Sequence, residues 1–140
     1  MSIAALVTWL VTAVLGVTML AMWVARGGLR TATGATGASS GPTVPSRFAA
    51  PMVFGHFLLA AAGLVVWIVY LVLETEALPW VAFGLLVMVA GLGELLFFRW
   101  RRSRGEDTAE SRFPQAVVYS HGLFAVATVV LVLLVALGIG

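Results

Sequence analysis

Four stretches of this chain carry almost no strongly polar residue: 3–25, 52–73, 80–98 and 115–139, each 19 to 25 residues long. A helix rising 1.5 Å per residue needs about 20 residues to span the hydrocarbon core of a bilayer, so each stretch is long enough to cross. Barrel strands are excluded, because they need only about ten residues and alternate polar with apolar positions, which these stretches do not. The pattern predicts an all-α polytopic membrane protein, a single transmembrane domain over residues 1–140 built as a four-transmembrane-helix bundle. Residues 27–46, within "GGLRTATGATGASSGPTVPS", are rich in Gly, Ser, Thr, Ala and Pro and predict a flexible connection. Residues 99–114, with "RRSRGEDTAESR", mix both signs and predict a solvated charged loop whose arginines meet lipid headgroups. Pro51, Pro79 and Pro114 stand near the starts of the second, third and fourth helices, where a missing N–H costs nothing.

Composition reinforces this picture: 61% of the residues are apolar and 10% charged, against about a quarter charged in a soluble domain. Charge adds a direction. All eight basic residues are arginine, and all fall in the two loops that follow the first and third stretches. The positive-inside rule makes those loops cytoplasmic and puts both termini and the "ETEALP" turn outside, in a bacterial plasma membrane. A cleaved signal peptide is the rival reading of the first stretch, but "MSIAALVTW" has no basic n-region. The arginines line span edges rather than one contiguous face, so the expected partner is the lipid bilayer, with a homo-oligomer or larger membrane complex, and not nucleic acid. Without cysteine there is no disulfide, thiolate site or iron–sulfur cluster. Trp9, Trp23, Trp80 and Trp100 lie toward span ends, as do Trp67 and Tyr70, and predict an interfacial aromatic belt.

Candidate chemistry enters through a repeat. "RFAAPMVFGHFLL" from Arg47 and "RFPQAVVYSHGLF" from Arg112 are 65 residues apart, and the ungapped segments 47–71 and 112–136 agree at eight positions, including Arg47/Arg112, Phe48/Phe113 and His56/His121. The first and third spans show no convincing match, so a duplicated helix pair would keep its signature only in the second helix. The second and fourth helices run the same way, and each histidine lies about 7 Å past its helix start, which puts both imidazoles at one depth. Glu94 in "GLGELLFFRW" falls at nearly that depth on the third helix. Ionisable side chains in a bilayer face the bundle interior and pair or bind something. The stripes His56, Ala60, Gly63, Trp67 and His121, Ala125, Thr128, Val132, with Gly84, Val87, Gly91, Glu94 as a third, predict a His/His/Glu cluster.

Three functions are compatible with such a cluster. In the first, the polar groups satisfy one another and fix helix packing, which makes the chain a non-enzymatic scaffold or accessory subunit. In the second, His56 and His121 are the axial ligands of a haem b, Gly55, Gly91, Gly93 and Gly122 leave room for the porphyrin, and Arg47, Arg112 or Arg99 meet its propionates. In the third, His56, His121 and Glu94 hold a divalent metal or a proton. Enzyme activity is not expected, since no nucleophile, base and oxyanion set assembles: Ser39 and Ser40 have no histidine and acid at a suitable spacing, and "GATGASSG" lacks the lysine of a phosphate loop. The "FGH" and "SHG" entries with arginine-rich inner loops resemble the layout of small four-helix integral membrane proteins of high-GC bacteria, which implies no activity. The paired histidines resemble those of membrane b-type cytochromes, and that resemblance implies a bis-histidine haem that carries electrons.

Overall fold

The computed structural model describes residues 1–33 and 44–139. Ser39, Ser40 and the "GATGASSG" stretch lie outside the described residues. Five helices follow in order: α1 (Ser2–Ala25), α2 (Gly28–Ala32), α3 (Ala50–Leu73), α4 (Ala77–Ser103) and α5 (Gln115–Ala136). All but α2 are long and apolar enough to cross a membrane, and together they form a four-helix membrane bundle.

Local chemistry accounts for the boundaries. Pro51 stands in the first turn of α3, and Pro114 is the N-cap of α5. α5 stops at Ala136, three residues before the end of the apolar stretch, because Gly138 takes a left-handed φ of 72° and the amide of Ile139 reaches back to the carbonyl of Leu134, the Schellman way of closing a helix. α4 runs past Phe98, where its apolar stretch ends, to Ser103. Its last turn carries Arg101 and Arg102, charges that the negative end of a helix dipole favours. The connection expected to be flexible is in part structured: α2 occupies Gly28–Ala32, and the Thr31 hydroxyl donates to the carbonyl of Val44 at 2.8 Å.

α3 lies along α4, and α1 along α5, for most of their lengths, while α4 meets α5 and α1 meets α3 over shorter stretches. α1 and α4 therefore stand across the bundle from each other, as do α3 and α5. Two cores are stacked along the bundle. At the arginine-rich end Trp23, Phe48, Ala50, Trp100, Ala109, Phe113 and Val118 pack together. Ala5, Trp9, Trp67, Ala82, Leu86 and Val132 form the other.

Two expectations are corrected here. Trp9, Trp23, Trp67 and Trp100 are not an interfacial belt, for all four are buried, and only Trp80 of the span-end tryptophans is exposed. Small residues on facing helices make room for them: a β-carbon on Gly63 would lie 3.0 Å from the Trp9 ring. Nor is the charged loop over residues 99–114 wholly solvated, since Thr108, Ala109 and Glu110 are buried. Glu110 accepts from the Ser46 hydroxyl at 3.0 Å and from the Arg47 amide at 2.7 Å, Trp23 Nε1 donates to the same Ser46 oxygen at 2.9 Å, and the Ala109 amide donates to the carbonyl of Pro45. The loop is thus a strap that holds the entry to α3 against α1. A buried carboxylate needs such donors.

Candidate functional site

The layer between the two cores holds the histidines. His56 Nδ1 lies 3.0 Å from the carbonyl oxygen of Val89 on α4, and His121 Nδ1 lies 2.9 Å from that of Thr12 on α1. A carbonyl only accepts, so each Nδ1 carries the proton and the neutral ring keeps its lone pair on Nε2. In both cases a glycine one turn beyond the carbonyl lets the ring approach. A β-carbon on Gly93 would stand 3.0 Å from Cε1 of His56, and one on Gly16 would stand 3.1 Å from Cε1 of His121.

The same device therefore occurs twice, and with it the repeat extends to the whole bundle. His56 on α3 against Val89 and Gly93 of α4 matches His121 on α5 against Thr12 and Gly16 of α1. The first and third spans, which show no convincing match by eye, correspond at an offset of 77 residues: Ala5/Ala82, Gly16/Gly93 and Trp23/Trp100. Both alanines and both tryptophans are buried, as are Phe48 and Phe113, whose rings meet at 6.2 Å. The symmetry is not perfect. Trp23 Nε1 has Ser46, while the buried Trp100 Nε1 has no hydrogen-bond partner among the described residues.

The two imidazoles meet across the bundle axis, with ring centres 6.2 Å apart and planes inclined at 55°. Both rings are half-buried. Neither Nε2 has a hydrogen-bond partner among the described residues, so each ring holds one neighbouring helix through Nδ1 and keeps a basic nitrogen in reserve.

Glu94 does not join them. It is exposed, as are Gly84, Val87 and Gly91 of the same stripe, whereas α4 buries the opposite face with Ala82, Leu86, Val89 and Trp100. The physical reason is that His56 packs on Gly93, and the next residue is turned about 100° round the helix. Among the described residues no group of three or more His, Cys, Asp or Glu could hold a metal ion, so the expected His56/His121/Glu94 metal set is not assembled. Arg47 and Arg112, the expected propionate partners, are engaged elsewhere. Arg47 forks onto Glu106, with Nε to Oε2 at 2.7 Å and Nη2 to Oε1 at 2.5 Å, and Arg112 donates to Asp107 at 3.2 Å. The hydrogen bonds from Arg47 hold the Glu106 carboxyl below its ordinary range, and the same bonds raise Arg47. A propionate role for either arginine would require it to give up its carboxylate.

Gly16, Thr12 and Val89 escape a reading of the sequence, because two of the three contribute only a backbone carbonyl and the third only the lack of a side chain. The signal that could have found them is the seven-residue spacing from glycine to tryptophan in Gly16–Trp23 and Gly93–Trp100.

Comparison with protein-family models, with curated proteins and with solved structures finds no match for this chain.

Proposed function

We propose that this chain is a membrane haem protein that carries electrons, with His56 and His121 as the axial ligands of one b-type haem. One observation carries the reading: two imidazoles, each held through Nδ1 by a backbone carbonyl, lie with ring centres 6.2 Å apart, and neither Nε2 has a hydrogen-bond partner among the described residues. A metal–imidazole bond of about 2 Å on each side, with the ring behind it, places ring centres roughly 6 Å apart. Metal-ligating histidines commonly donate their other ring N–H to a backbone carbonyl, which sets tautomer and orientation, and both rings do so here.

The donor set favours a haem over zinc. Zinc wants three or four protein ligands, and the site offers two. A haem brings its own four equatorial nitrogens and needs only the axial pair. Held by His56 and His121, such a haem iron would have no free position for a substrate and would supply the gain and loss of one electron. Placing the arginine-rich loops in the cytoplasm and both termini outside, in a bacterial plasma membrane, belongs to the same proposal and rests on the arginine distribution.

The packing role remains the competing reading, favoured by the two Nδ1–H bonds themselves, each of which ties a helix pair. Haem, iron and copper content decide between them. Protein purified in mild detergent from haem-replete cells is expected to carry one haem and one iron per chain, with both lost in His56→Ala and in His121→Ala. Copper in place of iron would make the pair a two-coordinate copper site. A folded chain with neither metal would leave the imidazoles to packing alone and the chain a scaffold.

A further inference from the structure

A cleft of about 260 Å³ opens at the arginine-rich end of the bundle, lined by Arg47, Arg99 and Arg102. Arg99 and Arg102 stand three residues apart on α4, which puts them on one helix face with β-carbons about 5–6 Å apart. Arg47 comes from the segment that enters α3. The Arg99 Nη1 donates to the carbonyl of Arg47 at 3.1 Å and so holds the two elements together around the cleft.

Three guanidinium groups on one cleft repel one another, and among the described residues the carboxylates that answer them, Glu106 by an ion pair and Glu110 from beside the backbone, both do so at Arg47. Other arginines of α4 and its loop have partners of their own: Arg101 lies over the Phe97 ring, Arg104 over Trp100, and Arg112 is paired with Asp107. Arg102 has no ion pair or hydrogen bond among the described residues, and Arg99 has only its bond to a neutral carbonyl. The charges of Arg99 and Arg102 thus converge on the cleft with no ion-pair partner among the described residues. The cleft also begins where the apolar run of α4 ends, at Phe98, beside the buried Trp100. That is the level at which a lipid headgroup meets a transmembrane helix.

We propose that Arg99 and Arg102, in the cleft they line with the Glu106-paired Arg47, form a binding site for a phosphate group, supplied by an anionic phospholipid of the adjacent leaflet. Guanidinium forks match phosphate oxygens two at a time, and the cleft is wide enough for a phosphate with part of its glycerol. The site is separate from the histidine pair and stands whether or not a haem is bound.

Native mass spectrometry of the whole chain in neutral detergent, titrated with phosphatidylglycerol, phosphatidylcholine or inorganic phosphate, tests it. Wild type is expected to retain one phosphatidylglycerol in preference to phosphatidylcholine. Arg99→Gln and Arg102→Gln should each weaken retention about tenfold, Arg102→Lys should weaken it less, and Arg112→Gln should leave it unchanged. Binding of inorganic phosphate that competes with the lipid and is lost in the same variants supports the phosphate chemistry, with a soluble ligand as its source. Equal retention of both lipids by wild type, or an unaltered titration in Arg99→Gln and Arg102→Gln, would overturn the proposal. Because bound lipid is counted on intact folded chains, a variant that unfolds is recognised by its charge-state distribution, and Arg102→Lys then carries the test.

Discussion

Gly16 and Gly93 show what a single residue contributes here. Each is the floor on which an imidazole lies, and a methyl group at either position would stand within about 3 Å of a ring carbon, so the ring must move away from the carbonyl that orients it. Gly84 and Gly91, on the exposed face of the same helix as Gly93, have nothing within 4 Å of such a methyl. Gly16→Ala and Gly93→Ala are therefore expected to lower the apparent Tm in detergent and to weaken haem retention. Gly84→Ala and Gly91→Ala should raise stability by about 0.5–1 kcal/mol, the usual gain when glycine leaves a helix interior. A uniform response across the four variants would mean that the glycines under the histidines have no special role. Glu94 teaches the converse. Its depth in the membrane was readable by counting residues, but its direction round the helix depends on which glycine a ring from another helix chooses to cover.

The elements were mostly legible and their contacts were not. Span lengths and proline positions mark α1, α3, α4 and α5 to within a few residues, because the bilayer imposes a length on any helix that crosses it. The burial of Glu110 could not be read, since a strap is made by partners distant in sequence: Ser46 and Arg47 on one side, Trp23 behind them. Glu110 and Glu106 make a pair of contrasting predictions. Glu110→Ala strands the part-buried Arg47 amide and Ser46 hydroxyl hydrogen, at up to about 1 kcal/mol each, and removes the buried carboxylate that ties the strap, so it should lower the apparent Tm. Glu106→Ala removes only an exposed ion pair and should leave the Tm near that of wild type at neutral pH. The Arg47 tie lowers the Glu106 pKa, so its contribution is present above about pH 4.3, the ordinary glutamate value, and is lost as the pH falls through the lowered one. Thermal melts of wild type and Glu106→Ala should therefore differ only slightly at neutral pH and coincide at acid pH. A Glu110→Ala chain as stable as wild type would show that the strap is not held by its carboxylate.

Viewed as a whole, the molecule is two helix pairs, α3 with α4 and α5 with α1, related by an approximate two-fold whose axis passes between the histidines. Half of that relation was visible in the sequence, in the "RF" entries and their histidines, because those residues are rare in an apolar chain. The other half was hidden, since α1 and α4 share only a few alanine, leucine, glycine and tryptophan positions within a background of similar composition. The arrangement also predicts topology. Alkaline phosphatase fused after Gly140 should be active and a green fluorescent protein at the same place dark, and the reverse result would invert the orientation read from the arginines. The haem reading rests on the pair at the axis. Its most direct test is the absorption spectrum of the purified protein, oxidised and then reduced with dithionite, beside His56→Ala and His121→Ala. The expected result is a Soret band that shifts and sharpens on reduction and disappears in either variant. A folded wild-type chain that stays colourless after incubation with haem would contradict the account and leave the two imidazoles as ties between helices.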